Sequence, residues 1–318
     1  MKMKNKRLRA KMLVRGFGQL IALVAVGFVL PGCGSNSENK DMETGKHGTI
    51  HISVDETFKP VIDSQIKVYQ ASFPDAHIIA EYKPEAECLK DLASDSTRMV
   101  IVTRGLSKDE TATFETKLSF KPSFGVLAFD AVALILNKEA KDSVFTVADI
   151  KEILSGNSAY DYKVVMDGTS ATSTVRYAMD TLLRGRPLGK NVEAAKSSPE
   201  VIDFVARNPK AIGMIGVSWV GNSDDQEQLS FLSKIKIGSV QCDACPDQPY
   251  TKPYQANIAT GRYPLTRGLY YILKENYGGL GNAFVNFMIY ERGQLIFKRA
   301  YLLPARMNFD VRQVKISG

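Results

Sequence analysis

The sequence lacks most of what announces an enzyme. It contains no GxSxG nucleophile elbow and no GxxxxGK[ST] phosphate loop. Its 3 histidines, His47, His51 and His77, all lie far upstream of Cys242 and Cys245. No His-based nucleophile pair and no Cys/His metal cluster follows from that spacing, so neither a metal nor a cofactor is implied. No internal repeat is visible, which argues against a solenoid. Basic excess is also missing where it would matter. The formal net charge is +7, but Lys2, Lys4, Lys6, Arg7, Arg9, Lys11 and Arg15 stand in a stretch without an acid. Without them the bases number 34, equal to the 34 acids, and a nucleic-acid binder that neutralises phosphates over a broad face is excluded. What remains has 44% apolar and 24% charged residues, as a globular chain of one large or two medium domains does.

The longest apolar run, Leu20–Leu30, is short as well. In a helix it would reach roughly 16 Å, against the ~30 Å of a hydrocarbon core. After a basic stretch it reads as a secretory signal over residues 1–32. Leu30-Pro31-Gly32-Cys33 resembles the bacterial lipobox, which implies lipidation at Cys33 and export to the cell envelope, facing the periplasm. Residues 33–47, rich in Ser, Asn, Glu and Lys, read as a flexible tether.

Of the other cysteines, Cys88 reads as a buried thiol. Cys242-Asp-Ala-Cys245 stands among Gly238, Pro246 and Pro249. It could form a small disulfide loop, a redox pair or half of a zinc site. With no second Cys/His pair, and no strand leading into a helix there, structural loop closure fits best.

From Thr49 onward, strands and helices alternate. Thr49–Val54, His77–Tyr82, Met99–Thr103, Val126–Leu136, Lys163–Met166, Ala211–Val217, Leu232–Ile237 and Leu269–Leu273 read as strands. Helices are expected over Phe58–Ala71 and Pro84–Leu92, after Ser107 and Thr146, from the Ser/Thr cluster Thr169–Thr174 to Leu183, after Ser198, and from Asn282 to Phe297. The alternation predicts an α/β fold with mainly parallel sheet, whose ligands would sit at strand-to-helix junctions.

Among these junctions, Asp167-Gly-Thr-Ser-Ala-Thr-Ser-Thr174 is the richest, with hydroxyls and backbone amides at a helix start. It could hold a small oxyanion, with Arg176 as a forked donor, or be a hydroxyl-rich cap without a ligand. Thr57-Phe58-Lys59-Pro60 opens another helix. Arg104 ends an apolar strand, where an arginine needs an anion or carboxylate partner.

The order of these segments resembles the substrate-binding proteins of bacterial phosphate ABC transporters. Ser170-Ala171-Thr172 looks like that family's Ser-Gly-Thr loop, and Thr57-Phe58 with Pro60 like its first loop. Val102-Thr-Arg-Gly-Leu106, Phe129–Leu134, Phe145–Ile153, Asn208–Gly213, Tyr263–Arg267 and Gly293-Gln294 follow in family order, so that the match covers about residues 48 to 304. The resemblance implies a two-lobed periplasmic binding protein of type II-like architecture, each lobe a mixed sheet flanked by helices, with two hinge crossovers. Residues 48–125 and 260–318 would form one lobe and 126–259 the other. It implies a binding protein and not an enzyme, delivering inorganic phosphate or a similar oxyanion to an ABC permease in the inner membrane. Its ligand donors would be Thr57, Phe58, Ser170, Ala171 and Thr172, with Arg104 a further candidate.

This chain departs from that pattern in its acids. Asp55 and Glu56 precede Thr57, and Glu85 and Glu87 stand in the second loop. Two like charges 4 Å apart cost about 4 kcal/mol at an effective dielectric near 20. The acids therefore leave two readings open: oxyanion capture, or the same fold turned to another solute or to docking an envelope protein.

Overall fold

The computed structural model describes residues 43–157, 159, 161–168, 172–222 and 224–307. The leader, Cys33, Ser170 and Ala171 lie outside them. The stretch read as tether up to residue 47 is held from Glu43 onward. Arg98 forks onto Glu43 at 3.2 and 3.3 Å, and the Tyr69 hydroxyl donates to the Gly45 carbonyl.

Strand β1 (Gly48–Asp55) sends Ile50, Ile52 and Val54 into the core, and both faces of its carboxyl end are covered, so Ser53 and Asp55 are buried too. Helix α1 (Lys59–Ser72) packs Val61, Ile62 and Tyr69 inward. It leads to β2 (Ala76–Lys83) and α2 (Glu85–Asp91), where Pro84 is the cap and not part of the first turn. After β3 (Thr97–Val102), helix α3 (Lys108–Leu118) starts with the expected capping box: Glu110 N–H donates to Ser107 Oγ at 3.2 Å, and Ser107 N–H to Glu110 Oε2 at 2.8 Å.

The apolar run becomes β4 (Ser123–Asn137), followed by β5 (Val144–Phe145) and α4 (Val147–Ser155), which stops at Gly156 with φ 73°. Then come β6 (Lys163–Met166), α5 (Ser173–Tyr177) continued by a π-helical turn at Ala178–Leu182, β7 (Val192–Ala194), α6 (Ser198–Arg207) and β8 (Ala211–Gly216). Beyond them lie α7 (Gln226–Lys234), β9 (Ile235–Ile237), β10 (Ser239–Gln241), β11 (Tyr250–Thr251) and α8 (Gln255–Ala259). The chain returns through β12 (Thr266–Leu273), α9 (Leu280–Ile289), α10 (Glu291–Arg299) and β13 (Leu303–Pro304).

Two expectations fail for local reasons. Leu232–Lys234 belong to α7 rather than to a strand, because Asp225 caps a helix there by accepting from the amides of Glu227 and Gln228. The helix expected over Asn282–Phe297 is two helices, with Tyr290 extended between them at φ −97° and ψ 177°. Gly293 packs so closely on the Phe287 carbonyl that no Cβ would fit.

Strand order is β2-β1-β3-β12-β4-β8-β6-β7. The β1–β2, β1–β3, β6–β7 and β6–β8 pairs are parallel, but β12 runs antiparallel to β3 and β4, and β8 antiparallel to β4. The sheet is mixed and not mainly parallel. β4 is the joint: Ser123–Ala131 pairs with β12, and Val132–Leu136 with β8. At about 3.3 Å per residue such a strand is long enough to serve both parts in turn.

Candidate functional site

The carboxyl ends of β1, β6 and β8 meet Asp130 of β4 and Arg267 of β12 in one buried polar cluster. After β1 the chain makes a tight turn, Glu56–Phe58, capped by Asp55, whose Oδ1 accepts the Thr57 amide at 3.1 Å. Thr57 and Phe58 are fully buried. The Thr57 hydroxyl lies 3.4 Å from Asp167 Oδ2 and 3.5 Å from Ser173 Oγ, and its carbonyl accepts from Ser218 Oγ at 2.8 Å. The first loop and the Ser/Thr cluster, widely separated in sequence, thus meet face to face.

Local chemistry also sets the start of α5. Gly168 has φ 149°, and a Cβ there would lie 2.9 Å from Thr172 Cγ2, so glycine is required. Thr172 caps α5, its Oγ1 accepting from the Val175 amide at 3.3 Å. This caps the helix as the hydroxyl-rich reading expects, and it aims Ser173 and Thr174 inward, both fully buried.

Arginine comes from an unexpected strand. Arg267 on β12 donates through Nε to Asp130 Oδ2 at 2.8 Å, and through Nη1 to Ser173 Oγ at 3.1 Å and Thr174 Oγ1 at 3.4 Å. Its guanidinium lies over the Phe58 ring, 5.4 Å from the centroid. Arg267 Nη2, Asp55 Oδ2, Asp130 Oδ1 and Asp167 Oδ1 are buried and have no hydrogen-bond partner among the described residues. Buried polar atoms left in this way mark a place built for something more than packing.

The acids differ in how they are handled. Burial pushes the Asp55 and Glu56 carboxyls up, each to about 7, and Asp55 gets only partial relief from Arg267. Glu56 also accepts from Ser198 Oγ at 3.1 Å. Burial raises Asp167 likewise. Burial works to lower Arg267, but Asp130, Asp55 and Asp167 outweigh it and keep the guanidinium charged. Glu85 goes the other way: burial would raise it, but Arg176 and Thr103 hold it below the ordinary carboxyl value. Glu87 is exposed on α2 and faces solvent instead of the cluster.

Arg104 is not brought to this cluster. Its guanidinium forks onto Glu110 at 2.7 and 2.8 Å, and no contact joins it to Thr57 or Thr172 among the described residues. Arg176 turns its fork to Glu85, with Nε–Oε2 at 2.6 Å. Away from the cluster, Cys242 and Cys245 are disulfide-bonded and Cys88 is a buried free thiol. No helix among the described residues is long and apolar enough to cross a membrane.

Residues 39–292 match the family described as PBP superfamily domain. The chain belongs to the PBP superfamily. Its relatives include the phosphate-binding protein PstS of Pseudomonas aeruginosa, 22% identical over 96% of this chain and 97% of that protein. PstS of Borreliella burgdorferi is 22% identical over 81% of this chain and 89% of that protein. Among solved structures, a Clostridium perfringens protein crystallised with bound phosphate superposes with TM-score 0.67 at 19% identity, covering 81% of this chain and all of that one. An ABC-type phosphate transport receptor from Vibrio cholerae gives 0.59 at 16%, again covering 81% of this chain. The fold is that of the periplasmic binding proteins.

Asp130, Ser173, Thr174 and Arg267 were not among the donors the resemblance implied. Asp130 had left a sign, as the one charge within the apolar run that became β4. Arg267 stood at the end of Tyr263–Arg267, but only strand pairing places it beside Asp130.

Proposed function

We propose that this protein is a solute-binding protein that captures a small oxyanion, phosphate by default, and presents it to an ABC permease in the inner membrane. In this reading the chain is exported and held at the envelope membrane by lipid on Cys33, facing the periplasm. Residues 48–125 with 260–318, and 126–259, act as lobes that close on the solute by a hinge motion. The observation that carries the reading is the unpartnered Nη2 of buried Arg267 beside the hydroxyls of Thr57, Ser173 and Thr174. A forked cation with converging hydroxyls in a dry site is a set of donors suited to a small tetrahedral anion. The names of the Pseudomonas and Borreliella relatives support phosphate as the first solute to test. Ser170 and Ala171, beside Thr172, are further donors in this proposal.

The acids fit a protonated anion. Asp55 and Glu56, raised to about 7, are partly neutral at neutral pH, so they can share a proton with the solute instead of repelling it. Isothermal titration with phosphate, arsenate and sulfate tests the proposal; folded protein that binds none of them refutes it. A second reading, another solute or an envelope-protein partner, draws on the same acids. A partner retained from solubilised membranes by both the native protein and Ser170→Ala would favour that one.

A further inference from the structure

Glu85 is placed as a bound anion would be. It is 2% exposed, and its carboxylate accepts from the Thr103 amide at 2.8 Å and the Thr103 hydroxyl at 2.6 Å. Arg176 donates to it through Nε at 2.6 Å and Nη2 at 3.3 Å, and Nη2 also reaches the Thr103 hydroxyl at 2.6 Å. An amide, a hydroxyl and a guanidinium fork are the donors that a captured carboxylate or phosphate would receive. They come from two parts of the sheet, since Glu85 and Thr103 follow β2 and β3 while Arg176 lies on α5, beyond β6.

We infer that Glu85 is an internal counter-anion that satisfies Arg176 and Thr103, holds the cleft shut without solute, and must be displaced before a dissolved anion can reach this arginine. The affinity part of the inference rests on the oxyanion reading, and the latch part only on the two-lobed reading.

Glu85 is fixed on a helix next to its donors, so it competes at a far higher effective concentration than a dissolved anion. The Arg176 side chain is 34% exposed: its inner edge meets Glu85, while its outer Nη1 faces solvent and lies 3.8 Å from the exposed carboxylate of Asp180. Asp55 and Arg104 act on Glu85 through space with opposite signs, and neither supplies it with a hydrogen bond among the described residues. Arg267 differs, because Asp130 engages only its Nε and leaves Nη2 to offer. The two arginines therefore divide the work: Arg267 offers a donor to solute, and Arg176 closes the cleft on Glu85.

The test compares the native protein, Glu85→Gln, and Glu85→Gln with Arg176→Gln, by small-angle X-ray scattering and by titration with inorganic phosphate and sulfate. Gln keeps the volume of Glu, and the double variant controls for an arginine left without its partner. The native protein should show one radius of gyration with and without phosphate. Glu85→Gln should be expanded without phosphate, contract when it is added, and bind it roughly tenfold more tightly or better, the worth of a charge-assisted bond. The double variant should lose that gain. A native protein already open without solute, or a Glu85→Gln variant with native scattering, overturns the latch. Expansion of Glu85→Gln with no anion bound by any variant upholds the latch and refutes oxyanion capture. Native binding of phosphate, with scattering and affinity unmoved by Glu85→Gln, refutes the inference and leaves oxyanion capture standing.

Discussion

Arg267 and Asp130 are direct cross-strand partners on β12 and β4, joined by an Nε–Oδ2 bond of 2.8 Å. The neighbouring pair, Thr266 with Ala131, is the last before β4 leaves β12, and Val132 already pairs with Gly216 on β8. The ion pair thus stands at the joint between two parts of the sheet, and the remaining donors of the arginine point into the polar cluster. One side chain links the framework to the site.

Removing either partner should be costly in stability, because the other is left unpaired and out of water. Asp130→Ala and Arg267→Ala should each lose about 3–5 kcal/mol in urea unfolding. Arg267→Lys should lose less, since a point charge can still face Asp130, but it cannot fork to Ser173 and Thr174. For this variant we expect oxyanion affinity to fall much further than stability. Equal losses in the two measurements would make Arg267 a framework residue only.

Thr57→Val tests the facing loops with little change of shape. The hydroxyl lies at 3.4–3.5 Å from Asp167 and Ser173, so losing it breaks no short bond within the protein. Stability should move by less than about 1 kcal/mol, while phosphate affinity drops roughly tenfold, as expected for one hydrogen bond made to a charged ligand. Calorimetric titration beside thermal melting reads both quantities, and undiminished affinity would remove Thr57 from the solute site.

Much of this arrangement was legible from residue order. The capping box at Ser107, the helix start at Thr146 and the strand Lys163–Met166 follow from local patterns that local physics enforces, whereas the meeting of Thr57 with Asp167 and Ser173 follows from the family resemblance alone. The long-range parts were not legible. No periodicity shows that β12 would return between β3 and β4, and Arg267 becomes a site residue only through that pairing. Likewise Glu85 and Glu87 look alike as neighbours in one loop, yet helix geometry buries the first against Arg176 and exposes the second. Arg104 finds the carboxylate partner its position calls for in Glu110, six residues further on, whose carboxylate also accepts from the Ser107 amide.

Stability should fall as pH rises through neutrality. Asp55 and Glu56 have folded values of about 7, well above those of unfolded carboxyls, so between about pH 4 and 7 the folded chain holds protons that the unfolded chain has released. Their contribution is complete below about pH 4 and lost as pH passes 7. Glu85, held low, and Glu110, held at about 2, act in the opposite sense, but only on the acid side of their unfolded values. From pH 5.5 to 8 the melting temperature should therefore decline, by an amount corresponding to a few kcal/mol. Asp55→Asn with Glu56→Gln should flatten the profile. A melting temperature that climbs over the same interval would contradict the burial of these two carboxyls.

Gly216 ends β8 where three site residues crowd it. A Cβ there would overlap Thr57 Cγ2 and lie 3.3 Å from both Arg267 Nη2 and Asp130 Oδ2. Its φ of −67° suits any residue, so the backbone itself is not what requires glycine. Space is. Gly216→Ala should therefore push Thr57 away from Asp167 and Ser173 rather than distort β8. An overpacking cost of about 1–3 kcal/mol is expected, larger than for alanine at an open position such as Gly278, which has no neighbouring atom within 4 Å. Solute affinity should fall with it, and Thr57→Ser in the same chain, which deletes the obstructing Cγ2 but keeps the hydroxyl, should restore both. Rescue by Thr57→Ser would place the loop of Thr57 against β8 in solution. A Gly216→Ala protein with native stability and affinity would show that the first loop does not rest there.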